Sequence, residues 1–230
     1  IRDSSTSRGL GDVYKRQLIT IAIFGMWYYA RYEGNFLPSP KKTFNPMMIV
    51  AIVILVPGTQ FAANFIANLT GYIRPDWLQQ YNELFETSGI TDTTFVTVLY
   101  SVILAPICEE LIFRGVTMRC ARKALPFALA NLMQAALFGL FHLNWIQGIY
   151  AFALGIVLGY VCERGGSIYY SMGLHLLFNL WGTLSGFFPD PGNSVVVFVV
   201  VIVVTIVSLV AGFVLFNKGR RKLPINSTGI

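Results

Sequence analysis

The chain has 230 residues, 55% of them hydrophobic and 12% charged, and Lys plus Arg (17) outnumber Asp plus Glu (11). Soluble domains carry about twice that share of charge, so a soluble domain is excluded and a single integral-membrane domain is expected. Loop lysines and arginines that set membrane orientation account for the basic excess. With no Gly-rich phosphate loop, zinc-finger spacing or basic–aromatic surface, no nucleic-acid partner is expected.

Residues 1–17, "IRDSSTSRGLGDVYKRQ", are polar, lack an initiator Met and stop abruptly at an apolar run. They read as a non-native segment of translated adapter or vector sequence and are set aside. The apolar run that follows, Leu18 to Ala30, is short of the roughly 20 residues a spanning helix needs, so a native N-terminus is expected to be missing. Further apolar runs predict helices over Pro46 to Leu69 (kinkable at Pro57), Phe95 to Phe113, Phe127 to Trp145, Gln147 to Cys162, Ile168 to Gly186 and Ser194 to Phe216. The fold class is therefore all-α: a polytopic membrane helix bundle of about seven spans here and eight in the intact protein. Residues 18–217 form one membrane domain and 218–230 a basic cytoplasmic tail. Between Gly71 and Thr94, Trp77, Leu78, Tyr81, Leu84 and Phe85 recur at helical spacing, which fits a helix lying in the membrane interface or an ordinary loop helix.

Orientation follows from the basic residues. Lys218, Arg220, Arg221 and Lys222 put the C-terminus in the cytoplasm; Arg119, Arg122, Lys123, Lys41 and Lys42 then fall inside, and Asp190 and the acidic Asp76–Asp92 stretch fall outside. Arg8, Lys15 and Arg16 break the rule, and all three lie in the segment set aside. The three cysteines, Cys108, Cys120 and Cys162, lie in or beside apolar stretches, an odd number that argues against a disulfide framework. Cys108 touches the acidic motif but reads as a buried structural thiol rather than a nucleophile.

Ionisable groups inside a membrane are costly and usually functional. Here they are Glu109, Glu110 and Arg114 in "APICEELIFRG", with the chain's two histidines, His142 in "FGLFH" and His175 in "HLLFN". Glu109 and His142 lie equally far from the Leu125–Pro126 junction, so two antiparallel helices turning there would bring them to one depth, about 25 Å from the turn. With the basic residues at that turn, the site is expected in the cytoplasmic half, reached by a water-filled cavity. Glu110 and Arg114, at i,i+4, form a supporting ion pair. Glu109, about 100° around the helix, is free to act as general base on water, with His142 holding the water or shuttling its proton. His175 and Asn179 share a helix face and can donate to a developing oxyanion. That set suits hydrolysis of a peptide bond without a covalent intermediate. A zinc ion held by Glu109, His142 and His175 is the alternative, and spacing does not separate the two; no HExxH is present.

These motifs resemble those of the CPBP intramembrane proteases, the CAAX-prenyl-endopeptidase and bacteriocin-processing family, also called Abi. "APICEELIFRG" is similar to its EExxxR signature, "FGLFH" to its FxxxH motif and "HLLFN" to its HxxxN/D motif. The resemblance covers roughly Ser101 to Leu184, a catalytic core over 101–184, and includes the Gly-rich helix and short polar turn before His175. It implies an all-helical membrane protease of about eight spans in which Glu109 and His142 activate water and His175 with Asn179 serves the oxyanion, by a glutamate or a metallo mechanism. It implies as partners membrane lipid and a membrane-associated peptide, such as a prenylated CaaX-like protein. The chain's brevity points to a prokaryotic cytoplasmic membrane. A second reading keeps the scaffold without catalysis, as a binding or bacteriocin-immunity protein. A third, a small transporter, lacks the inverted repeat it would need.

Overall fold

The computed structural model describes residues 18–28, 30, 44–87, 95–185 and 194–220, and every regular element among them is helical. The 1–17 segment, Lys41, Lys42, Asp92, Asp190, Arg221 and Lys222 lie outside the described residues. We number the helices α1 (Leu18–Tyr28), α2 (Pro46–Ile73), α3 (Pro75–Thr87), α4 (95–122), α5 (Phe127–Phe141), α6 (Trp145–Gly165), α7 (Ile168–Ser185) and α8 (Val195–Arg220). By length and composition α2, α6 and α8 can cross a membrane, whereas α1 and α5 are apolar but shorter.

Each helix begins where its sequence allows. Asn45 caps α2, accepting from the Met47 N–H at 2.9 Å, with Pro46 in the first turn where its missing N–H costs nothing. Asn144 caps α6, accepting from the Gln147 N–H at 3.1 Å, and Gly166 ends it at φ 67°, a left-handed conformation that glycine adopts freely. α3, expected from its spacing, is a separate helix. Arg74, just before it, pairs with Asp76 of its first turn at 2.6 Å, and that hydrogen bond holds the Asp76 carboxyl below the usual carboxylate range. Trp77 stacks on Trp145, ring centres 5.4 Å apart, and ties α3 to the start of α6.

The long α8 packs along α2. The contact works because small residues face it: a Cβ on Gly212 would lie 2.6 Å from Leu55 Cγ, so only glycine lets the two backbones come this close. Pro57 has no N–H to give the Val53 carbonyl, and at the next rung of the α2 ladder α8 supplies a partner. The Ser208 hydroxyl accepts from the Gly58 N–H at 2.8 Å and donates to the Ile54 carbonyl. The main apolar core joins α2, α5, α6 and α7 around Leu55, Phe138, Leu158 and Leu174; a smaller cluster packs α1 through Tyr28 against Leu111, Met118, Cys162 and Ile168.

α4 departs from the single regular helix expected over Phe95 to Phe113. It runs on to residue 122 and alternates α-turns with wide π-turns over Leu99–Leu104 and Leu111–Met118. Pro106 gives a reason for the first. It has no N–H to donate, and its ring would crowd the carbonyl four residues back; a preceding wide turn, in which the Ala105 N–H reaches Tyr100 O, relieves that crowding. The two π-turns bracket the one α-helical stretch, Ala105–Glu110, that carries the acid pair.

Candidate active site

Four helices each contribute to one polar cluster. On α4, successive residues point about 100° apart. Glu110 faces the core and is fully buried, while the Glu109 side chain keeps 14% of its surface exposed. Glu110 Oε1 accepts from Arg114 Nη1 at 2.9 Å, the expected i,i+4 pair, and Arg114 is fully buried as well. Arg114 Nη2 donates to the Gly155 carbonyl of α6 at 3.3 Å, and the guanidinium lies 4.5 Å over the Phe138 ring.

His175, on α7, bridges the two acids. Its Nδ1 donates to Glu110 Oε1 at 2.9 Å, and its Nε2 faces Glu109 Oε2 at 3.6 Å, too long for a direct hydrogen bond. Glu110 thus holds both Arg114 and His175, and it fixes which ring nitrogen of His175 looks toward Glu109. Hence the pairing of Glu110 extends beyond the Arg114 contact that spacing disclosed.

His142 stands at the C-terminal end of α5. Its Nδ1 lies 2.8 Å from the Phe138 carbonyl, and a carbonyl only accepts, so Nδ1 carries the proton and Nε2 keeps its lone pair. Both His142 and His175 are close enough to Glu109 to interact with its charge. Phe138 explains the one-turn spacing of its motif: its ring meets His142 edge-on at 4.9 Å, His175 at 5.7 Å and Phe113 at 5.2 Å. After His142 the chain turns sharply into α6 through Leu143, at φ 54°.

Asn179 sits one turn beyond His175. Its Nδ2 donates to the Ser101 carbonyl of α4 at 2.8 Å, so one of its two N–H bonds secures α7 to the first π-turn. All six residues singled out in the sequence therefore lie on α4, α5 and α7. Residues 142 and 126 are about 24 Å apart along α5, so His142 lies at the end of the bundle where α3 and Trp145 meet, while Arg114 lies nearer the basic Arg119–Lys123 junction. That separation matches the spacing expected for two helices turning at the Leu125–Pro126 junction, and α5 packs along α6.

The sequence reading passed over two residues of this cluster. Asn131 and Gln134 are buried on α5. Gln134 Nε2 donates to Asn131 Oδ1 at 2.7 Å and to the Gly155 carbonyl at 2.9 Å, and Asn131 Nδ2 donates to Ile156 O at 3.0 Å. Two amides three residues apart in "FALANLMQAALFGLF" were the available signal, of the same kind that flagged the histidines. Cys108 and Cys162 are buried free thiols, and Cys120 is exposed.

The zinc alternative can be tested on the donors themselves. Among the described residues no three His, Cys, Asp or Glu side chains come together so as to hold a metal ion. The Nδ1 atoms of His175 and His142 are engaged by Glu110 and the Phe138 carbonyl, which leaves Nε2 on each ring, but these nitrogens and Glu109 do not form a group that could hold a metal ion.

No curated protein and no solved structure matches the chain. Residues 91–181, the segment that contains the acid pair, both histidines and Asn179, match the model of the Rce1-like family, type II CAAX prenyl endopeptidase Rce1-like, which agrees with the family resemblance of the three motifs.

Proposed function

We propose that the chain is an integral-membrane endopeptidase that hydrolyses a peptide bond of a membrane-associated substrate, by water activated between Glu109 and His142. The reading rests on one observation above all: the largely buried acid Glu109 faces a histidine whose other nitrogen is fixed by a second, fully buried acid. The 3.6 Å between Glu109 Oε2 and His175 Nε2 is too long for a direct hydrogen bond and too short to hold a water in line between them, so the reading puts the water beside that pair, on the side of His142. Glu109 takes a proton from that water as its oxygen attacks the substrate carbonyl carbon, and His142 Nε2 orients the water. The carbonyl oxygen, now negative, is met by the second Asn179 N–H and by His175 in its imidazolium form. Collapse breaks the C–N bond, and the proton held on Glu109 passes to the departing amine. Glu110 and Arg114 support the set without touching substrate. A prenylated CaaX-like tail is the substrate class that the family description suggests. Seven spans, a cytoplasmic C-terminus and a prokaryotic cytoplasmic membrane complete the reading.

The test is cleavage of a quenched prenylated membrane peptide by wild type, Glu109→Ala and His142→Ala in vesicles, with and without chelator. Wild type should cleave, both variants should lose the activity, and chelation should leave the wild-type rate unchanged. Equal cleavage by all three proteins rejects the reading; loss on chelation with recovery on added zinc rejects the metal-free water.

A further inference from the structure

We propose that Gln134 is a positioning residue for the acid–histidine cluster: its amide braces Arg114 through the shared Gly155 carbonyl, and Arg114 in turn fixes Glu110 and His175. This rests on the peptidase reading above and adds to it a residue outside the three motifs.

The argument starts from cost. Gln134 is fully buried in the middle of an apolar helix. Burying an amide is unfavourable unless it is hydrogen-bonded, and Leu or Met would fill that volume without the penalty. The Nε2 of the amide is engaged twice while Oε1 has no partner among the described residues, and the Nε2 contacts lead in one direction. Gln134 Nε2 and Arg114 Nη2 donate to the same carbonyl, Gly155 O, at 2.9 and 3.3 Å. That oxygen is therefore a shared anchor which fixes the guanidinium relative to α5 and α6. From Arg114 the chain continues to Glu110 Oε1 at 2.9 Å, then to His175 Nδ1 at 2.9 Å, and ends with Nε2 facing Glu109.

The bundle is shaped to admit this chain. A Cβ on Gly159 would overlap Asn131 Oδ1 and come within 2.7 Å of Gln134 Nε2, so the glycine opens the slot in α6 that the two amides fill. Asn131 in turn accepts from Gln134 at 2.7 Å and is itself held by the Ile156 carbonyl, which orients the Gln134 amide toward Gly155. Partners that orient a metal-ligating histidine change affinity or activity by about ten- to a hundredfold when lost, and that range sets the scale for Gln134, which reaches His175 through Gly155 O, Arg114 and Glu110. Gln134 lies behind Arg114 and touches no substrate, so the loss should fall on kcat and not on KM.

The experiment uses Gln134→Met, which keeps the length and removes the amide, and Gln134→Asn, which is too short to reach Gly155. Both are made in the full chain and also in an Arg114→Lys background. Each single variant should lower kcat about ten- to a hundredfold with KM little changed. In the Arg114→Lys background the further loss should be much smaller, because the two residues act as a unit. The chain has two histidines, so ¹⁵N-histidine spectra in micelles report on His175 and His142 separately, with His142→Gln giving the assignment. The His175 ring signals should move in both Gln134 variants while those of His142 stay. Wild-type kcat in the variants, fully multiplicative losses, or an unmoved His175 spectrum would overturn the proposal. If wild type cleaves no better than Glu109→Ala, the peptidase reading fails by itself, and the His175 spectrum still decides whether Gln134 positions the ring.

Discussion

Arg114 and Glu110 carry opposite charges at positions with no exposed surface. A buried pair is worth little against an apolar pair of the same shape, yet losing one partner leaves an uncompensated charge and costs about 3–5 kcal/mol. Glu110→Leu alone and Arg114→Met alone should therefore each lower the thermal unfolding temperature sharply in detergent. The combined Glu110→Leu/Arg114→Met variant should unfold near wild type and still fail to cleave, because His175 would have lost the acceptor that orients it. A combined variant as unstable as the singles would contradict this account of the pair. The i,i+4 pairing was legible in the sequence because helical geometry alone sets it. The contact of His175 with Glu110 was not, since 65 residues separate them and only the packing of α7 on α4 brings them together. The same holds for Asn179, whose amide was read as facing substrate and is half committed to the Ser101 carbonyl.

Among the elements, α2 and α8 illustrate how a proline is tolerated inside an apolar helix. Pro57 marked α2 as kinkable, but nothing local indicated that Ser208, 150 residues from Gly58, would supply a partner to Gly58 and Ile54 at the next rung. Ser208→Ala would leave a buried N–H and a carbonyl without that partner, a loss of about 1–3 kcal/mol. Thr205→Ala is the matched control: its hydroxyl only bonds back to Val201 O on its own helix, so its removal should change stability little. Comparable unfolding temperatures for the two variants would show that the serine does not support that rung. The helices themselves were legible from apolar runs, and so was α3 from its helical spacing. The π-turns of α4 were not, because the sequence fixes the position of Pro106 but not how the surrounding turns absorb it.

At the scale of the whole molecule, counting apolar runs gives seven candidate spans, whereas three of the described helices are both long and apolar enough by themselves. α5, with 15 residues, reaches about 22 Å against a hydrocarbon core of roughly 30 Å. Its two amides are buried and bond to α6, so the bundle as a unit accommodates polar groups that a single helix would expose to lipid. The proposed orientation can be checked with the native cysteines. Cys108 and Cys162 are buried, whereas Cys120 is exposed beside Arg119 and Arg122. A membrane-impermeant maleimide should label Cys120 in inverted vesicles and not in intact cells, and the opposite pattern would reverse the topology. The central claim, that one acid reachable from outside the cluster activates water beside two imidazoles, is tested most directly by Glu109→Gln, which keeps shape and removes basicity. Cleavage of the membrane peptide by this variant in vesicles should fall by about 10²–10⁴-fold with the unfolding temperature unchanged; a turnover equal to wild type would contradict the claim.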